Sequence, residues 1–196
     1  SYALAANTTA TYGTAVGYNA LRYGNGETAI GTNALGNVNH TGNGDNVALG
    51  HNCLPNLTTG TQCTAAGSGA GNSVGTATQS IYMGKSAGWA CTGSQCTGVA
   101  RRALQGGGSG NGNTAFGFQC MYTGGPGTGS NNTGIGAYSF SGTGDNSTAV
   151  GYYAGASGSP GGAPSAGNQI FLGDENVTHI YANTSTISTS DKRDKN

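Results

Sequence analysis

Short triplets of β-branched, small and apolar residues, each ending on a glycine, recur along the whole chain. T-A-V-G-Y at 14–18 returns at 148–152, with looser copies between. Aligned on the glycine, the slots fall at Gly17, Gly31, Gly50, Gly67, Gly84, Ala100, Gly117, Gly136, Gly151 and Gly173, spaced by 14 to 22 residues. Three residues earlier stand Thr14, Thr28, Val47, Thr64, Ile81, Thr97, Thr114, Thr133, Thr148 and Ile170, all β-branched. One residue earlier stand Val16, Ile30, Leu49, Ala66, Met83, Val99, Phe116, Ile135, Val150 and Leu172, all apolar. The residue between them is Ala or Gly in eight copies, with Tyr82 and Phe171 as exceptions.

Alternation with period two predicts short strands, bounded here by turn residues. A second apolar pair, such as Ala20-Leu21, Ala34-Leu35 or Cys53-Leu54, suggests a second strand in each repeat. A repeat of about 17 residues then reads as one coil of an all-β, parallel solenoid with about ten coils. Coils stacked at the ordinary strand spacing of about 4.8 Å would make a rod of roughly 45 Å. On this reading the β-branched and apolar slots face the coil interior. The small residue between them faces outward, where it lets a neighbouring chain approach closely. The recurrent glycine supplies a corner conformation, and G-N-G-D-N at 42–46 and G-T-G-D-N at 142–146 supply turns. So thin a coil buries little, so we expect self-association, most simply a three-fold bundle. An isolated solenoid with small residues for packing is the plainer alternative.

Composition narrows the picture further. Glycine fills 39 of 196 positions, and seven acids balance seven bases. Low hydrophobicity suggests disorder, but disorder usually carries net charge, and this chain has none. No basic patch points to nucleic acid, and no apolar run is long enough to cross a membrane. The chain opens without Met, on Tyr2-Ala3-Leu4, which resembles the end of a repeat, so it reads as part of something longer.

N-T-A-F-G at 113–117 and the repeated T-A-V-G-Y resemble the N-S-V-A-I-G repeats of trimeric autotransporter adhesin heads. That resemblance covers nearly all of residues 1–173 and implies a left-handed parallel β-roll in an intertwined homotrimer. Residues 174–190 would be an exit segment. After 190 residues with nine charges, five of the last six are charged. I-S-T-S-D-K-R-D-K at 187–195 resembles the start of the intramolecular chaperone domain (S74 peptidase type) that ends many phage tail fibres. Residues 191–196 would be its first residues. The resemblance implies a single autocatalytic cut at Ser190–Asp191, made by Ser190 with Lys195. Chemically, a desolvated lysine can deprotonate a serine hydroxyl, and five positions is a little over one helical turn.

Other candidate sites are weaker. Cys53 and Cys120 occupy a slot that is alanine elsewhere and read as small core residues, while Cys91–Cys96 and Cys53–Cys63 are disulfide candidates. No paired C-x-x-C spacing supports zinc, and His40, His51 and His179 lie in different coils. Asp45 and Asp145 sit in equivalent G-D-N turns, where a carboxylate caps backbone more often than it binds calcium. G-x-S-x-G at 71–75 and 84–88 lacks the strand–turn–helix setting of a nucleophile elbow. Gly84-Lys85-Ser86 lacks the leading glycine of a phosphate loop, since Gln79 stands there. The seven N-x-S/T sequons, Asn7, Asn39, Asn56, Asn131, Asn146, Asn176 and Asn183, reflect a composition rich in these residues. Tyr18, Trp89, Phe118 and Tyr152 are candidates for stacking on a glycan, against the duller role of sealing corners.

The expectation is therefore a structural, homotrimeric segment of a phage tail fibre or similar virion appendage, extracellular when working. It would attach to a host-surface glycan or receptor, with no cofactor, no nucleic acid and no membrane insertion. A bacterial adhesin head would share the fold but continue into a heptad coiled coil. An ice-binding solenoid would need an outward threonine row, and the expected alternation points these threonines inward. A glycan depolymerase would need a convergent acid pair, and none is seen.

Overall fold

The computed structural model describes residues 12–38, 44–106, 108–122, 129–156, 159 and 161–179. Ten three-residue strands follow one another: β1 (Thr14–Val16), β2 (Thr28–Ile30), β3 (Val47–Leu49), β4 (Thr64–Ala66), β5 (Ile81–Met83), β6 (Thr97–Val99), β7 (Thr114–Phe116), β8 (Thr133–Ile135), β9 (Thr148–Val150) and β10 (Ile170–Leu172). Each pairs in parallel with the next, giving one sheet in chain order. The register superposes equivalent slots, with Thr14, Ala15 and Val16 against Thr28, Ala29 and Ile30. The molecule is an all-β solenoid with one strand per coil, and no helix occurs among the described residues.

Two expectations need correction. The second apolar pair forms no strand. Leu21, Leu35, Leu54 and Leu104 sit in the left-handed region, at φ 46 to 54, so the chain is turning where a strand was expected. The faces of the strands are also reversed. The middle residue is the interior one: Ala29, Ala48, Ala65, Ala115 and Ala149 are fully buried. The flanking apolar residues point outward, with Val16 57%, Phe116 57% and Ile135 44% exposed. The threonines share that outward face, half-buried or exposed in every strand. The physical reason is the size of the lumen. So narrow a coil has room for Ala or Gly from the strand only because Leu, Met or Phe fills it from the opposite turn, as Leu21, Leu104, Met121 and Phe140 do.

The two large exceptions obey the same volume rule. Tyr82 is fully buried, and the turns around it carry Gly71 and Gly88 where other coils carry leucine. A Cβ on Gly88 would strike the Tyr82 ring, and one on Gly71 would lie 3.1 Å from its Cδ2. Phe171 is matched in the same way by Gly155, whose Cβ would stand 3.4 Å from the ring.

A ladder of buried polar side chains runs beside the strands. It is formed by the residue just before each triplet, among them Asn46, Ser80, Asn113, Asn132 and Ser147. Each side chain accepts the backbone N–H of its counterpart in the next coil. Cys63 N donates to Asn46 Oδ1 at 2.8 Å, Cys96 N to Ser80 Oγ at 3.1 Å, Asn132 N to Asn113 Oδ1 at 2.9 Å and Ser147 N to Asn132 Oδ1 at 2.8 Å. These bonds satisfy peptide donors that fall just outside the strands, where an orphan would be costly.

The motif glycine is held at φ 125 to 142 in Gly17, Gly31, Gly50, Gly67, Gly84, Gly117, Gly136 and Gly151. A Cβ at Gly17 would come within 2.7 Å of the carbonyl of Gly31, and one at Gly67 within 2.8 Å of that of Gly84. Stacked coils therefore touch backbone to backbone here. Ala100 alone fills this slot with a side chain, at φ 109. Strain of about 1–3 kcal/mol at such a residue outweighs the extra unfolded-state entropy of glycine. Ala100→Gly should accordingly raise the unfolding free energy by about 1 kcal/mol, measured by thermal or denaturant unfolding.

Candidate functional site

The corner after the motif glycine gathers most of the exposed chemistry. Two residues after the glycine the backbone is left-handed, at Asn19 (φ 53), Asn33 (φ 56) and Asn52 (φ 50). Asparagine tolerates that conformation, and its amide adds a ladder: Asn19 Nδ2 donates to Asn33 Oδ1 at 3.3 Å and Asn33 Nδ2 to Asn52 Oδ1 at 3.0 Å. Further along, the same corner turns aromatic. Phe118 meets Tyr138 edge to face at 5.2 Å, and Tyr138 stacks on Tyr153 at 4.9 Å. Tyr152 meets Tyr153 edge to face at 4.6 Å and Tyr138 at 6.1 Å.

Charge is partitioned as well. All four described lysines and arginines, Arg22, Lys85, Arg101 and Arg102, follow the motif position of their coil (Gly17, Gly84 or Ala100), whereas Asp45 and Asp145 precede it. The Arg101 guanidinium lies over the Phe118 ring at 5.3 Å. Asp174 enters the corner after β10. Its carboxyl is held below the usual range by hydrogen bonds from Asn176, whose backbone N donates at 2.9 Å and whose Nδ2 donates at 3.0 Å. The phenol of Tyr152 is pushed up by local desolvation, by Tyr153 and Tyr138, and by Asp174.

Of the four stacking candidates, Phe118 and Tyr152 therefore fall into one cluster. Tyr18 lies at the start of the corner, and Trp89 borders a shallow hollow of about 210 Å³ with His51, Asn52, Ser68, Lys85 and Ser86. Tyr138, which joins Phe118 to Tyr152, escaped sequence reasoning. In its copy of the repeat Ala137 follows the glycine, and the ring comes one residue later. Alignment with Tyr153, which holds the same slot, is the signal that finds it.

All five cysteines are unbridged and buried. Cys53 and Cys120 fill the small-residue slot of the turn, as expected. Cys63 and Cys96 belong instead to the polar ladder, where each sulfur receives a backbone N–H, from Ser80 and from Asn113 respectively. Burial pushes the Cys53 thiol up to about 12. Cys91 and Cys96 do meet. Their mutual hydrogen bond lowers Cys96 to about 7, while the same bond and burial raise Cys91. Tyr82 Oη donates to the Cys91 carbonyl at 3.4 Å beside them.

Among the described residues no group of three His, Cys, Asp or Glu side chains could hold a metal ion. His51 and His179 lie in different coils, and His40 lies outside the described residues. Asp145 Oδ1 accepts the backbone N–H of Ser130, 15 residues earlier, at 2.6 Å, so it ties neighbouring coils together where a cap on its own turn was expected. Ser190, Asp191 and Lys195 also lie outside the described residues. The chain matches no family model, no curated protein and no solved structure.

Proposed function

We propose that the chain is a structural, homotrimeric shaft segment of a phage tail fibre or comparable virion appendage, working outside the cell in host attachment. The observation that carries the reading is the outward face of the sheet. From Val16 through Ile30, Leu49, Met83, Phe116, Ile135 and Val150 to Leu172, exposed apolar side chains run the length of the solenoid in one column. Monomeric proteins rarely expose contiguous apolar patches beyond a few hundred Å². A second and third copy laid against this column would cover it. The lumen, filled largely by alanines, offers too little buried area to make single coils robust. The face that sister chains would cover is thus the opposite of the one the alternation suggested. The resemblance of residues 187–195 to a tail-fibre chaperone boundary favours a virion appendage over a bacterial adhesin head, and with it one self-cleavage at Ser190–Asp191.

Native mass spectrometry or light scattering tests the assembly. The expected result is a trimer that Phe116→Asp with Ile135→Asp dissociates. A monomeric parent chain in native buffer overturns the reading.

One observation favours a second reading. The threonine column faces solvent, which removes the objection that the expected inward alternation raised against ice binding. The row is interrupted by Val47, Ile81 and Ile170 and flanked by large apolar side chains, so it ranks below the shaft. Thermal hysteresis measured on the parent chain would promote it.

A further inference from the structure

We infer that the aromatic corner spanning the coils of β7 to β9 is a binding site for an uncharged saccharide chain. Three independent features of the corner point there.

The rings occupy a costly backbone. Tyr138 (φ 57) and Tyr153 (φ 53) hold the left-handed slot that Asn, Gly, Ser, Arg102 and Gln119 fill in earlier coils, and they alone place an aromatic ring there. A bulky side chain in this region is a strained choice, and such strain collects at functional sites. Nothing in the fold demands it, since the slot is well served by asparagine at Asn19, Asn33 and Asn52.

Two of the rings are also wet. Tyr152 is 58% exposed and Tyr153 39%, and each combines an apolar face with a hydroxyl that donates and accepts, as a sugar does. Phe118, Tyr138 and Tyr152 rise through three successive coils, their ring centroids 5.2 and 6.1 Å apart, a step of about one coil. That step is close to the length of one pyranose in a chain, so consecutive sugar rings would meet consecutive coils.

Charge decides the class. Arg101 at one end of the cluster supplies donors only, and Asp174 near the other supplies acceptors only. Arg101 and Arg102 are balanced by Asp174 and Glu175, so the corner offers no net attraction for a phosphate or uronate chain. The pair suits hydroxyl groups, which need both donors and acceptors.

This inference shares with the shaft reading only the idea of a surface-facing molecule. The two can fail separately. The test is a printed array of neutral and acidic glycans probed with the full chain, followed by titration of the best binder by calorimetry. We expect a neutral glycan as the best binder, with affinity little changed by added salt. Tyr152→Ala and Phe118→Ala should each weaken it about tenfold or more, while Trp89→Ala leaves it unchanged and all three variants keep the parent's melting temperature. Binding confined to acidic glycans and lost in salt overturns the inference. So does affinity that survives Tyr152→Ala, or an array with no neutral binder. A chain that binds in this way yet is monomeric by native mass keeps the saccharide site and sinks only the trimer.

Discussion

Tyr82→Ala should lower the unfolding free energy by about 3–5 kcal/mol, the usual cost of removing a buried aromatic side chain. Gly88→Leu added to it should recover much of that loss. The ring is fully buried in a lumen to which every other strand except β10, with Phe171, presents Ala or Gly. Its volume is accommodated because Gly71 and Gly88 leave open the places that leucine fills elsewhere. Backbone conformation does not stand in the way of the repair. Gly88 has φ 64, and leucine already sits in the equivalent slot at φ 47 in Leu54 and φ 54 in Leu104. The three atoms nearest a Cβ there all belong to the Tyr82 ring, so Gly88→Leu alone should also destabilise. The signature is therefore a strongly non-additive pair, with the double variant more stable than the sum of the single changes allows. Equilibrium denaturation of the four proteins measures it. Additive losses would show that the lumen does not share volume between strand and turn.

That exchange also explains what could be read in advance. The ten strands were legible to the residue, because each carries a β-branched, small, apolar triplet and stops at glycine. Their orientation was not. Period-two alternation says that Thr14 and Val16 share one face and Ala15 the other, and it is silent on which face is inside. Hydrophobicity chose the larger side chains, while the lumen is too thin for them on the strand side. The contrary clue was present in Tyr82 with Gly71 and Gly88, and in Phe171 with Gly155, since only residues sharing an interior need to trade volume. The aromatic corner was half legible. Phe118 and Tyr152 follow their glycines directly, whereas Tyr138 is offset by one residue and joins them only when the coils are stacked. The turn leucines imitated a strand because left-handed backbone at a leucine is uncommon enough that no pattern announces it.

The polar ladder was the least legible element, because its members are chemically mixed: Asn46, Cys63, Ser80, Cys96, Asn113, Asn132 and Ser147 share no residue type. What they share is a short side chain able to accept a backbone N–H, and Asn132 shows how much rests on that. Its Oδ1 accepts Ser147 N at 2.8 Å and its Nδ2 donates to the Gly144 carbonyl at 2.8 Å, both within the buried interior. Asn132→Leu would leave a buried donor and a buried acceptor unsatisfied, each costing about 1–3 kcal/mol. A loss of about 2–6 kcal/mol should follow, together with faster hydrogen exchange at the Ser147 amide. Asn132→Ser should cost much less, because Ser80 and Ser147 already hold the same column and accept Cys96 N and Gln169 N at 3.1 Å. If leucine proved as well tolerated as serine at 132, with Ser147 still protected from exchange, the coils would not depend on these side chains for their registry. The stack would then be held by strand pairing and apolar packing alone.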